Sequence, residues 1–422
     1  MGRSPVEWIL ANGKAPTAIP ISENLFRYVE GLNDARTLLA DFFSIPLGKT
    51  VISMNSKQLV QGLLEKAQIH INGSQPGDIL IHNDRFYDRV LAEGSLGLGE
   101  SYMEGWWDAN RLDEFFFRFH SVELDKSVRD KQLILNSFKA RLYNMQDKRR
   151  SKRVAQHHYD LNTDFYERML GPHMQYTCAY WKRAKNLTEA QKHKLDLICR
   201  KLQLKPGERV LELGCGWGGF AHYAAADYGC SVVAYNISEQ QVAYARRWCA
   251  GLPVDIMLKD YREASGEFDK VAAIGICEHV GFKNYRALME VAHRTVKPHG
   301  LFLLHSIGNN GSVTTGDPWF DKYIFPGGML PSVAQLSAAM EGLFVMEDWH
   351  NFGSDYDTTL LAWQENVDKQ QGHMAAGFDE RFSRMWRYYL LSLAGAFRAR
   401  TIHLWQIVMS KRGLVGGYEP VR

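Results

Sequence analysis

Between residues 58 and 107 the spacing of apolar positions changes about every ten residues. QLVQGLLEKA (58–67) repeats at three to four residues, as an amphipathic helix does. QIHING (68–73) and DILIHN (78–83) carry branched apolar residues in short runs around a Gly-Ser-Gln-Pro-Gly turn, so both are predicted as strands. FYDRVLAEG (86–94) returns to helical spacing and stops at Gly94. SLGLGESYMEGWW (95–107) predicts ordered loop and short helix. From about residue 204 the rhythm becomes strand and helix in alternation. RVLEL (209–213), SVVAY (231–235), VDIML (254–258), KVAAIGI (270–276) and LFLLHSI (301–307) are near-continuous apolar runs, most of them separated by helical patterns. Strands apolar on both faces belong to a parallel sheet covered on both sides. The aromatic tail, residues 382–411, has a helical pattern and is expected to pack as a helix on the core.

This pattern predicts an α/β chain. A Rossmann-like domain with a mostly parallel sheet and helices on both faces follows a smaller mixed α/β N-terminal domain. The expected boundaries are an extension over 1–40, an N-terminal domain over 41–138, a basic linker over 139–153 and a catalytic domain over 154–422. The linker holds Arg141, Lys148, Arg149, Arg150 and Lys152. It is either a solvated connection or a stretch drawn to anionic headgroups, each well-placed basic residue contributing about 1 kcal/mol.

Composition narrows the field. Among 422 residues, 45% are hydrophobic and 23% charged, as in globular chains. A net charge of +3 gives no general nucleic-acid signal, and no [ND]-P-P-[YFW] motif or Pro-Cys pair of a nucleic-acid methyltransferase occurs. The six cysteines (Cys178, Cys199, Cys215, Cys230, Cys249, Cys277) form no CxxC pair, which argues against a zinc site and fits a reducing cytoplasm. The N-terminus lacks the apolar core of a signal peptide. The uncharged run 323–340 is interrupted by Pro326, Gly327, Gly328 and Pro331, and the run 388–397 is too short, so no spanning helix is expected.

The sharpest local signal is VLELGCGWGGF (210–220), a strand, a glycine turn and a helix start. Gly214 and Gly216 allow a tight turn and a close backbone approach to a ligand. A dinucleotide site reads similarly, with Gly214, Gly216 and Gly219 as its three glycines. Yet Asn236, and not an acid, follows the second strand, while Glu212 precedes G-x-G as in S-adenosylmethionine methyltransferases.

HHYDLNTDFYERML, MQYTCAYW, LELGCGWGGFAHYAA, ICEHVGFKNY, YIFPGGMLPS and MEDWHNFGSDYDTTL, in this order with EGSLGLGESYMEGWW before and AGAFRARTIHLWQ after them, resemble the cyclopropane-fatty-acyl-phospholipid synthase family over residues 55–410. The resemblance implies transfer of a methylene group from S-adenosylmethionine to the double bond of an unsaturated acyl chain in membrane phospholipid. The cofactor would lie against Tyr176, Thr177, Glu212, Gly214, Cys215, Gly216, Trp217, Gly218, Asn236 and Gln241, with Asp260 and Tyr261 near the adenine. A bicarbonate ion would act as base, held by the backbone N–H groups of Cys178 and Ile307 and the side chains of Glu278, His305 and Tyr356. No metal is implied.

Without the resemblance, Cys178, Cys215, Tyr261 and Tyr356 are packing residues, and His305 is equally packing or functional. Trp181, Tyr180, Phe325 and the C-terminal aromatic segment are candidate walls for the acyl chain. The family also implies a homodimer, located in the cytoplasm and peripherally associated with the inner membrane. Leu393 stands where some relatives carry a cysteine. A C-methyltransferase that leaves a methyl or methylene branch, or a lipid-binding protein without catalysis, would share much of this pattern.

Overall fold

The computed structural model describes residues 56–122, 163–370 and 379–422. The expected 1–40 extension and the basic stretch 139–153 lie outside the described residues. Asn55–Arg422 belong to one compact unit.

α1 (Ser56–Lys66) buries Val60 and Leu64, one turn apart. β1 (Ile79–Ile81) precedes α2 (Arg85–Glu93) and α3 (Ser95–Met103) and pairs antiparallel with β2 (Trp107–Ala109); α4 (Leu112–Ser121) follows. The expected strand at 68–73 does not form. Ile71 makes one isolated bridge to Ile79, and Asn72 takes φ 56, which an extended strand cannot accommodate. In α3, Gly99 lies so close to the Trp319 indole that a β-carbon there would overlap it.

The chain continues through α5 (Thr163–Leu170) and α6 (Leu187–Lys201) into β3 (Arg209–Leu213), α7 (Gly219–Tyr228), β4 (Ser231–Asn236), α8 (Glu239–Trp248), β5 (Val254–Leu258) and β6 (Phe268–Ile274). Next come α9 (Cys277–Val280), α10 (Tyr285–Thr295), β7 (Val296–Asn309), α11 (Pro318–Tyr323), α12 (Val333–Met340) and β8 (Val345–Asn351). The last elements are α13 (Ser354–Asp368), α14 (Glu380–Arg398) and β9 (Ile402–Ser410).

The seven-stranded sheet has the order β5-β4-β3-β6-β7-β9-β8. β3 to β7 are parallel, and β9 enters antiparallel between β7 and β8. Val210 faces one core and Leu211 and Leu213 the other, the reason these strands read as unbroken apolar runs.

The tail corrects the sequence expectation. Only Glu380–Arg398 is helical, and Arg400, at φ 62, turns the chain into a strand. β9 is buried from His403 to Ser410, and a run apolar on both faces has no periodicity that separates strand from helix. A third core joins residues 60–116 to α13 and α14. Tyr388 sits at its centre, with ring centroids 4.4 Å from Trp319, 5.1 Å from Phe116 and 5.7 Å from Tyr102. Arg398 ties the same junction to Asp113 at 2.8 Å and to Asp357 at 2.9 Å.

Candidate active site

The loops after β3, β4, β5, β6 and β7 gather at the carboxyl ends of the parallel strands, where open α/β sheets bind ligands. After β3 the chain turns through Gly214, Gly216 and Gly218, all at positive φ. The N–H groups of Gly214 and Cys215 both bond the Tyr235 carbonyl at 3.0 Å. At Gly214 a β-carbon would strike Ile276, whereas at Gly216 nothing lies within 4 Å, leaving the turn an open face. The Asn236 amide fixes that face by donating to the Gly216 carbonyl and to Gln241 Oε1, both at 2.9 Å. Cys215 and Trp217 turn inward, and the Trp217 ring lies 4.8 Å from Tyr166, so their side chains pack.

β5 delivers Asp260 and Tyr261 beside this turn, since Lys259 N–H bonds the Asn236 carbonyl at 3.0 Å. Both Asp260 oxygens are held by the Arg262 guanidinium at 2.7 Å. Tyr261 is half-buried, and burial raises its phenol above the ordinary range.

Glu212 lies under the turn, 2% exposed, with Oε2 buried and unpartnered. Burial pushes its carboxyl up, against the opposing pull of Lys194. Lys194, which the sequence reading passed over, is fully buried and donates to Thr177 Oγ1 at 2.8 Å and to Gln175 Oε1. It therefore braces the segment that carries Tyr176 and Thr177. Its signal was a lysine on the buried face of α6, four residues from both Ala190 and Ile198. Gly275, at φ 67, lets the Thr177 methyl sit against the backbone.

On the other side of Thr177 stand the remaining candidates. Glu278 begins the first turn of α9, and its Oε1 accepts the Ile307 N–H at 2.6 Å. Its Oε2 is buried without a partner, and burial pushes its pKa up to about 7. The Ile307 N–H expected for the anion is thus engaged by Glu278. His305, 1% exposed, meets Gln406 Nε2 at 3.2 Å through Nδ1, while its Nε2 is buried and unpartnered. Tyr356 is buried in α13, its ring 4.6 Å from Phe397, and burial pushes its phenol well up. Cys178 is fully buried, and burial keeps its thiol far above the ordinary value, so it is not a poised nucleophile.

Aromatic rings pack around Tyr176. The Tyr176 hydroxyl donates to Tyr389 at 2.9 Å, and the Tyr176 ring lies 5.4 Å from Trp363 and 6.5 Å from Phe325. Phe325 in turn lies 5.7 Å from Tyr389. Of the predicted wall residues, Phe325 and Tyr389 of α14 lie against Tyr176. Trp181 instead donates to Thr359 Oγ1 at 2.9 Å, and Tyr180 packs on Phe352 at 5.3 Å. Leu393 is half-buried against the core around α14.

The strand order, glycine turn and acid on the first central strand define a class I S-adenosylmethionine-dependent methyltransferase. The open face at Gly216 and the orphaned Glu212 oxygen fit a polar, close-lying cofactor. The family model of mycolic acid cyclopropane synthetase matches residues 146–407, and the chain belongs to that family. It is 52% identical over 372 residues to the cyclopropane-fatty-acyl-phospholipid synthase of Escherichia coli (strain K12), covering 87% of this chain and 96% of that one. Among solved structures, the cyclopropane synthase MmaA2 from Mycobacterium tuberculosis aligns with a TM-score of 0.59 at 27% identity, covering 64% of this chain and 100% of that one. The mycolic acid cyclopropane synthase CmaA1 complexed with SAH and CTAB gives 0.56 at 27% identity, over 62% of this chain and 98% of that one.

Proposed function

We propose that this chain methylates the double bond of an unsaturated acyl chain in membrane phospholipid and closes a cyclopropane ring, with a bicarbonate ion as base. One observation carries the base: Glu278 Oε2 and His305 Nε2 are both enclosed polar atoms without partners, next to the strand ends that hold the cofactor turn. Buried polar atoms left unpaired are costly, and a small polar guest relieves that cost.

Bound S-adenosylmethionine supplies an electrophilic methyl group. Tyr176 and Thr177, braced by Lys194, and the loop over residues 214–218, braced by Asn236, would hold it against the alkene. Attack by the π electrons leaves positive charge on the acyl chain, which water would quench to an alcohol. The rings of Tyr176, Trp363, Phe325 and Tyr389 exclude water and present π faces that favour a cation.

A proton must then leave the added methyl. Glu278, with a pKa near 7, carries or releases a proton at Oε2 at neutral pH. A carboxyl can stand beside an anion only if the two share a proton, and bicarbonate has one to share. Tyr356 and His305 supply further hydrogen bonds, and Cys178 contributes only backbone.

Residues 56–122 are assigned to holding the lipid, as a lipid-binding segment within the expected 41–138 region. We place the protein in the cytoplasm as a homodimer that touches the inner membrane peripherally. Among the described residues no helix is long and apolar enough to cross a membrane.

The test is incubation with unsaturated phospholipid vesicles and labelled methyl donor, with and without bicarbonate. Cyclopropane acyl chains, formed faster with bicarbonate, are expected. Undiminished turnover after bicarbonate is stripped overturns the assignment of the base. Methyl- or methylene-branched chains as the product overturn ring closure.

A further inference from the structure

His305, Gln406 and His350 stand in one row across three strands. Gln406 on β9 is in register with His305 on β7 and with His350 on β8. Directly paired residues in an antiparallel ladder share a face of the sheet, so the Gln406 amide is delivered to the His305 ring by strand register. Gln406 is fully buried, and its Nε2 lies 3.2 Å from His305 Nδ1.

We propose that Gln406 is a positioning residue. Its amide donates to His305 Nδ1 and fixes the imidazole as the Nε2–H tautomer, making the unpartnered Nε2 a hydrogen-bond donor toward the anion of the site. Only this last step, donation to an anion, rests on the bicarbonate reading.

Burial, with the ammonium groups of Lys194 and Lys201 nearby, keeps His305 neutral well below its ordinary range. A neutral imidazole carries one proton, on one nitrogen only. A nitrogen that accepts from an amide cannot hold that proton, so it resides on Nε2.

The neighbouring charges agree with this assignment. Lys201 is bound elsewhere, 3.1 Å from His350 Nδ1 and 3.6 Å from Asp348, whose carboxylate Arg422 also clamps at 2.6 Å. Lys194 is committed to Gln175 and Thr177. No carboxylate is recorded within hydrogen-bonding distance of Nδ1 among the described residues, so Gln406 is the group that chooses the tautomer. With the amide turned over, its carbonyl would demand a proton on Nδ1 and leave a lone pair on Nε2, which repels an anion.

The experiment is 15N NMR of the full-length protein labelled in its histidine rings, with His305 assigned by its absence in His305→Gln. The expected result is an unprotonated Nδ1 and a protonated Nε2, unchanged between about pH 6 and 8 because the ring does not titrate there. A protonated Nδ1 overturns the proposal.

In Gln406→Glu an ionised carboxylate can only accept, so at a pH where that carboxyl is ionised the proton should move to Nδ1. Turnover should then fall about 10- to 100-fold, as for other residues that orient a functional histidine, with the KM for the methyl donor unchanged. A Gln406→Glu enzyme as fast as the wild type also overturns it. Should that variant not fold, the wild-type spectrum still decides. Turnover indifferent to bicarbonate, with Nε2 protonated, would remove the anion and leave the tautomer assignment in place.

Discussion

Glu278 accepts the backbone N–H of Ile307 through Oε1 at 2.6 Å, which leaves its other oxygen enclosed and unpaired. The bond ties the first turn after β6 to the strand end of β7. It also fixes which oxygen faces the site.

Glu278 should set both turnover and pH-dependent stability. Its carboxyl ionises near 4.5 when unperturbed and near 7 in the fold, because burial disfavours the charge. Between those values the folded protein keeps a proton that the unfolded chain has lost, so stability falls as pH rises from 4.5 to about 7. The difference amounts to about 3 kcal/mol at pH 8. Glu278→Gln should therefore raise the Tm at pH 8 and flatten its pH dependence, while turnover drops at least about 100-fold. Some slope should persist, because burial raises Glu212 in the same sense. A Glu278→Gln Tm that follows the wild-type pH curve would contradict the raised pKa.

Arg398 should be a stability residue. It binds Asp113, 2% exposed, together with Asp357 and Glu114, and so joins α4, α13 and α14. Arg398→Met leaves Asp113 with Arg111 alone and is expected to cost about 3 kcal/mol in urea unfolding at pH 7. Asp113 is held below its ordinary value, chiefly by hydrogen bonds from Arg111 and Arg398 that outweigh its burial. Its contribution exists above pH 3.8 and disappears as pH falls through the lower folded value, so the gap between variant and wild type should narrow in acid. A gap that is constant down to acid pH would mean that packing, and not charge, is what Arg398 supplies.

Two glycines should respond with opposite signs. Gly99→Ala puts a methyl into the Trp319 indole and should cost about 1–3 kcal/mol by overpacking. Gly62→Ala, in α1 with nothing within 4 Å, should stabilise by up to about 1 kcal/mol. Thermal melts of the two variants check both. Equal shifts would mean that α3 and α11 are not packed as described.

Local sequence carried the parallel strands, the glycine turn and Glu212, because apolar runs and tight turns depend on neighbours a few residues away. Asn236, at the end of β4, was equally legible, whereas Gln241 came from the family resemblance. The tail was not, because β9 is buried on both faces and its strand character depends on β7 and β8 flanking it.

Gln406 and the Tyr176–Tyr389 hydroxyl pair belong to the tertiary structure alone. Gln406 reaches His305 across 101 residues, and Tyr389 reaches Tyr176 across 213. The sequence by itself determined the parallel strands β3 to β7 and the shape of the cofactor turn, for those follow from short-range pattern. Only the fold decided which buried polar groups are paired and which are left open, because burial and hydrogen bonding depend on residues brought together from distant parts of the chain.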